Sequence, residues 1–300
     1  MEKRISVIGA PMDLGQSRRG VDMGPSAIRY AGVIERIQRL GISVEDLGDI
    51  QIDRPSLSED PITKLKNLET VLQANISLSI EVDSIIKRGS LPLVLGGDHS
   101  ISIGSIAGVA KHYQNLGVIW FDAHGDLNTP ETTPSGNIHG MPLAVSLGLG
   151  EKQLISIGGY TPKIKSENIV IIGARSLDPG EKELIKEKGI KVFTMHEIDR
   201  LGMTKVIEET IKYLKDRNVD GVHLSVDLDA LDPIYAPGVG TPVQGGISYR
   251  ESHLAMEMFA EANFITSVDF VEVNPILDER NKTGELAVDL VGSLFGEQLI

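Results

Sequence analysis

The sequence predicts an α/β fold in which a mostly parallel sheet is covered by helices on both faces. Three observations carry this. Short β-branched runs recur at residues 5–8, 92–95, 117–121, 169–172, 191–194, 222–226 and 268–273. Stretches of helical periodicity lie between them. The runs are almost continuously apolar and do not alternate, as expected of strands buried on both faces. No repeat of 20–50 residues, low-complexity tract or linker-like Gly/Ser or Pro run interrupts the pattern, so residues 1–300 are expected to form a single domain.

Taken in order, the run at 5–8 opens the sheet, and a helix is expected at 26–40. A second helix is expected at 63–88, where Leu65, Leu68, Leu72 and Ile76 share one face. Lys87, Arg88 and Gly89 form its C-terminal signal. The strand at 92–95 leads to a helix at 101–114, and the strand at 117–121 to a long polar segment. After the strand at 169–172, Asp178, Pro179 and Glu181 form a capping box for a helix at 179–188. The strand at 191–194 precedes a helix at 204–217. Ser248 and Glu251 form a second capping box, opening a helix that runs to about Ala262. A last helix is expected at 285–294.

Composition narrows the function classes. The chain has no Cys, which excludes disulfides, thiolate metal sites and cysteine nucleophiles. A formal net charge of −13 argues against nucleic acid and suits cationic substrates or metal ions. No apolar run approaches the ~18 residues of a membrane span. The apolar stretch after Met1-Glu2-Lys3-Arg4 ends at Gly9, too short for a signal peptide, so a cytoplasmic location is expected and the sequons at Asn75 and Asn281 read as coincidence.

In parallel α/β sheets, ligands bind beyond the carboxyl ends of the strands. Those positions are filled here by carboxylates and imidazoles. Gly96-Gly97-Asp98-His99-Ser100 follows the run at 92–95, and Asp122-Ala123-His124-Gly125-Asp126 follows 117–121. Asp227-Leu228-Asp229-Ala230-Leu231-Asp232-Pro233 follows 222–226, and Glu272 lies within 268–273. In an extended chain Asp122, His124 and Asp126 share a face, as do Asp227 and Asp229. A single such motif is usually a turn or a helix cap. Three together, with no Lys or Arg inside the segments, leave buried charge that bound cations would compensate. Four Asp and two His suit hard divalent ions, and the imidazoles favour manganese over calcium. Six ligands fit two metals roughly 3.5–4 Å apart if Asp bridges them. His112, His196, His223 and His253 read as surface or packing residues.

These segments resemble the signatures of the arginase/agmatinase (ureohydrolase) family. The likeness extends from Gly9-Ala10-Pro11-Met12-Asp13 and Gly20-Val21-Asp22-Met23-Gly24-Pro25, through Pro237-Gly238-Val239-Gly240-Thr241-Pro242, to Val271-Glu272-Val273-Asn274-Pro275. It departs at Ala230, where many arginases carry Gly. The resemblance implies an arginase-like three-layer sandwich around a central eight-stranded sheet, and a run at 44–47 supplies the eighth strand. It implies two Mn2+ per subunit, one on His99, Asp122, Asp126 and Asp227 and the other on His124, Asp122, Asp227 and Asp229.

The resemblance also implies a reaction. The segment from Asn128 to Pro142 is similar to an arginase substrate loop, in which Asn128, Ser135 and Asn137 hold the α-carboxylate of L-arginine as neutral donors. Asp178 and Glu181 resemble the element near the α-amino group, a role compatible with capping a helix, and Thr241 joins them as a substrate contact. A water deprotonated between the metals is expected to attack the guanidinium carbon. Asp126 is expected to carry its proton to the leaving amine, Glu272 to pair with the guanidinium, and His139 to shuttle protons to solvent. The expected partner is L-arginine, and the expected assembly a homo-hexamer, with a trimer as fallback. Three alternatives stand beside this reading: a ureohydrolase acting on agmatine or another guanidino compound, a single-metal deacetylase of related fold, and a non-catalytic metal- or amine-binding protein.

Overall fold

The eight runs form strands β1 (Arg4–Ala10), β2 (Ser43–Asp49), β3 (Leu91–Gly96), β4 (Leu116–Phe121), β5 (Ile169–Ala174), β6 (Lys191–Thr194), β7 (Gly221–Asp227) and β8 (Ile265–Val271). They make one sheet in the order β2-β1-β3-β8-β7-β4-β5-β6, and every neighbouring pair is parallel. The computed structural model describes residues 4–53 and 65–298.

Among the described residues eleven α-helices accompany the strands: α1 (Gly24–Tyr30), α2 (Val33–Arg39), α3 (Leu68–Lys87), α4 (Ser102–Val109), α5 (Pro142–Ser146), α6 (Lys152–Ile155), α7 (Pro179–Lys188), α8 (Met195–Leu201), α9 (Met203–Asp216), α10 (Tyr249–Ala262) and α11 (Lys282–Leu294). Strand alternation divides the core into two layers. Ile119 and Phe121 of β4 pack with α1, α2 and α8–α11, whereas Val118 and Trp120 pack with α3–α6. No helix among the described residues is long and apolar enough to cross a membrane.

The departures from expectation have local causes. The helix expected at 26–40 is two helices, because Gly32 adopts φ 90° between them. The helix expected at 101–114 ends at Val109. The backbone N–H groups of Gln114 and Asn115 instead donate to the Asp220 carboxylate at 2.8 and 2.9 Å, pulling the chain toward β7. The helix expected at 63–88 begins at Leu68, after Asn67 at φ 53°. Thr63 and Lys64 lie outside the described residues. Helix α8 was not anticipated, although Thr194 and Glu197 form a capping box at its start.

The strand order places the site. β3 and β4 are consecutive in sequence, yet β8 and β7 lie between them. The carboxyl ends of β3, β8, β7 and β4 are therefore four neighbours at the middle of one sheet edge.

Candidate active site

Each of those four strand ends delivers functional side chains by its own device. After β3, Gly97 lets the backbone pass Met12 so closely that an added Cβ would meet the Met12 carbonyl at 1.8 Å, and His99 follows in a 3₁₀ turn. After β4, the expected extended face of Asp122, His124 and Asp126 is absent, because the chain bends. The His124 N–H donates to Asp122 at 2.6 Å, and Asp126 adopts φ 51°. At the end of β7, Asp227 accepts from the Asp229 N–H at 2.8 Å, so a 3₁₀ turn and not strand alternation brings Asp229 inward. Strand β8 stops at Val271, inside the run expected at 268–273, so Glu272 lies beyond the strand, at φ 68°. Non-glycine residues in this conformation are strained and persist where surrounding structure holds them.

The six expected metal ligands converge. His99, Asp122 and Asp227 form one group able to hold a cation, and Asp122, His124 and Asp229 a second. Asp122 belongs to both. His99 Nδ1 lies 3.1 Å from Asp122, 3.0 Å from Asp126 and 3.2 Å from Asp227. Despite these short distances, no carboxylate is aligned to accept a hydrogen bond from it, and Asp122 Oδ2 is likewise buried without a hydrogen-bond partner. Donor atoms crowded around one point without mutual hydrogen bonds are what a metal ion would satisfy. The residues present therefore fit a binuclear metal centre. The other face of the ligand set is anchored: His99 Nε2 pairs with Ser225 at 2.8 Å, and the ring stacks on Trp120 with centroids 4.1 Å apart.

Electrostatics follow from the same crowding. Burial opposes protonation of His99, but Asp122, Asp126 and Asp227 outweigh it and raise the group well above its ordinary value. For His124, burial is likewise overcome by Asp229 and Asp122, pushing the imidazole up to about 12. Burial and the charge of Asp122 push Asp126 up to about 6. Burial and the neighbouring acids also raise Asp227 well above the usual carboxylate range.

Above the cluster lies a cavity of about 120 Å³. Its wall includes His99, His124, Asp126, Asn128, Ser135, Asn137, His139, Asp178, Glu181, Asp227 and Thr241. Asn128 donates from Nδ2 to Asp178 at 2.8 Å, which ties the substrate-loop residue to the helix α7 cap. Thr241 donates to Asp229 at 2.8 Å. Glu181, the second carboxylate of the α7 capping box, is buried. It accepts from the N–H groups of Leu127 at 3.0 Å and Asp178 at 2.7 Å, and burial pushes it up to about 7. Glu272 is not among the lining residues. Its oxygens accept from the His99 N–H at 2.9 Å and from Gln16 at 3.1 Å, and His139 Nδ1 lies 3.3 Å away.

Sequence reasoning missed Ser176 and Thr133, which also line the cavity, as well as Gln16 and Arg175. Arg175 lies beyond the end of β5 and donates to the carbonyls of Asp229, Ala230, Leu231 and Val243 at 2.7–3.2 Å. No pattern in the sequence distinguishes it from a surface arginine. Of the four histidines read as surface or packing residues, His223 is fully buried, against Ser267 at 2.9 Å and Asp269 at 3.2 Å, and His112 bonds Asp83 at 2.8 Å.

Comparison with known proteins agrees with this geometry. The arginase family model matches residues 3–296. The chain belongs to the arginase family. It is 69% identical to an arginase of Bacillus caldovelox over 299 residues, which is 99% of this chain and 100% of that one. The solved native structure of arginase from Bacillus caldovelox superposes with a TM-score of 0.97 at 68% identity, covering 100% of both chains. An arginase of Entamoeba histolytica, solved in complex with L-ornithine, is 38% identical with a TM-score of 0.89, covering 99% of this chain and 100% of that one. The arginase fold accounts for the parallel eight-stranded sheet and for the site at its middle edge.

Proposed function

We propose that this chain hydrolyses the guanidinium group of L-arginine to L-ornithine and urea, with two Mn2+ per subunit. One observation carries the reading. Two ligand groups sharing Asp122 contribute His99, His124 and Asp227 to the lining of a cavity whose wall also bears the neutral donors Asn128, Ser135 and Asn137 together with the carboxylate of Asp178. That wall complements an α-carboxylate and an α-ammonium, and the ligand groups suit the far end of the same molecule.

When bound at His99, Asp122, Asp126 and Asp227 and at His124, Asp122, Asp227 and Asp229, the metals would supply positive charge and bring a water's pKa toward neutrality. The protein does the rest. Water adds to the guanidinium carbon, the bond from that carbon to the ornithine nitrogen breaks, and the departing nitrogen takes a proton. Asp126 is the group to move this proton, since its carboxylate lines the cavity beside the ligand groups, 3.0 Å from His99. His139 lines the same wall, and Glu272 beside it raises the imidazole against the opposing effect of burial, which suits a proton relay to solvent. Glu272 contributes negative charge toward the guanidinium from behind His139. Thr241 steadies Asp229, and Glu181 holds the backbone at Leu127 so that Asp126 and Asn128 face the cavity.

Urea release from the manganese-loaded protein, assayed with L-arginine and agmatine side by side, tests this. Release from L-arginine alone supports it. Release from agmatine at an equal rate overturns the assignment of Asn128, Ser135 and Asn137. A cytoplasmic homo-hexamer remains our expectation for the assembly. The exposed apolar side chains of Met23, Ile234 and Ile276 support self-association, and light scattering separates hexamer from trimer.

A further inference from the structure

We propose that Lys66 is the positioning residue that turns the Asn137 amide toward the substrate's carboxylate. The inference rests on reading the cavity as a site for an α-amino acid, and it names a residue outside every motif in the sequence that carries that reading.

Three chain segments meet at the cavity rim. The Lys66 ammonium donates to Asn137 Oδ1 at 2.9 Å and to the Ser17 hydroxyl at 2.8 Å. Ser17 donates in turn to the same Asn137 Oδ1 at 2.9 Å. The Lys66 backbone N–H also donates to the Gly136 carbonyl at 3.1 Å, so residue 66 grips the loop by main chain and side chain together. The neighbouring Asn67 ties to the Leu14 carbonyl at 2.9 Å, and the His139 N–H to the Gly15 carbonyl at 3.0 Å. The rim is thus stitched on both sides of Asn137.

The chemistry of these partners decides the orientation of the amide. An ammonium has three donors and no acceptor, so the amide atom facing it must be the oxygen. With Oδ1 taken by two donors, Nδ2 is left to serve the cavity that Asn137 lines, and it has no hydrogen-bond partner among the described residues. Charge-assisted bonds at the oxygen also polarise the amide and strengthen Nδ2 as a donor to an anion. Without Lys66, either end of the amide can face the cavity, and an oxygen turned inward repels a carboxylate. The lysine thereby supplies carboxylate preference without contacting the substrate.

Steady-state kinetics of the manganese-loaded Lys66→Met and Lys66→Arg variants with L-arginine, with agmatine as a competitive inhibitor, test this. For Lys66→Met, KM for L-arginine should rise about tenfold, the size expected for one hydrogen bond to a charged group. Its kcat should stay within about twofold, and the agmatine inhibition constant should not move. Lys66→Arg, still a donor-only cation, should recover most of the loss. Adding Asn137→Ala to Lys66→Met should cost little more, because both act through one amide. An unchanged KM in Lys66→Met, in a wild type that prefers L-arginine, overturns this inference alone. Equal losses for L-arginine and agmatine overturn it too, since they mean general collapse of the loop. A wild type indifferent to the carboxylate overturns the underlying reading, and this inference with it.

Discussion

Loading the metal-free protein with Mn2+ should expel protons, and the number follows from the site. In the absence of metal, His99 is raised well above its ordinary value and His124 is pushed up to about 12, so both imidazoles are protonated at pH 7.5. A metal takes an imidazole nitrogen only in its neutral form. Two divalent ions therefore displace at least two protons, and the raised Asp227 can contribute another, for a total of about two to three. Calorimetric titration of Mn2+ into apo-protein at pH 7.5, in buffers of different ionisation enthalpy, reads this count as a slope. A slope near zero would refute the reasoning, because the imidazoles would then be neutral before metal arrives.

The linkage also has a sign. A histidine whose folded pKa is raised stabilises the apo-protein fully below its unfolded value near 6.5, and this stabilisation is lost as pH rises through the folded value. The raised Asp126 and Asp227 act in the same direction, whereas Asp122, held low by His124 and His99 against burial, acts in the opposite one. Apo-protein should therefore lose stability from mildly acidic toward alkaline pH, while metal affinity climbs. At about 100 times the dissociation constant, one ion adds about 2.7 kcal/mol. The difference in Tm between loaded and apo-protein should widen with pH, and a gap that narrows contradicts the assignment.

Three further outcomes are expected. Asp126→Asn should lower urea release by about 10²–10⁴-fold and weaken manganese binding, and near-normal turnover would remove Asp126 from the mechanism. Arg175→Met leaves the carbonyls of Asp229, Ala230, Leu231 and Val243 without their donor, and should destabilise the chain by about 3–5 kcal/mol in denaturant melts while weakening the metal binding proposed at Asp229; unchanged metal stoichiometry would reduce Arg175 to a purely structural role. Trp120 is the sole tryptophan, fully buried and stacked on His99, so its fluorescence should change on metal loading; Trp120→Phe removes a buried N–H without a partner and should cost less than about 1.5 kcal/mol, whereas Trp120→Ala should cost about 3–5.

The candidate site was legible because side chains able to bind metal are of particular types, and here such residues follow directly after apolar runs. His99, Asp122, His124, Asp126, Asp227 and Asp229 were singled out in this way, and the structure brings them together. The supporting residues were not legible. Ser225, Gln16, Arg175 and Lys66 are of types common on any surface, and their partners lie tens to hundreds of positions away. Glu272 was visible as an acid at a strand end, but not as the partner of His139 and Gln16, because that depends on a left-handed residue ending β8.

The sequence by itself determined the α/β class, the order of the strands along the chain, and which acids and imidazoles are candidates to hold metal. Each rests on short-range pattern: apolar runs, capping boxes such as Ser248 with Glu251, and residue types suited to hard cations. Only the tertiary structure decided that β7 and β8 insert between β3 and β4, that Gly32 divides one amphipathic stretch into two helices, and that bends bring Asp126 and Asp229 inward in place of strand alternation. The physical reason is one of range. Periodicity is set by neighbours within a turn or a pleat, whereas sheet order and side-chain convergence are set by pairings between residues far apart in the chain, which no local window contains.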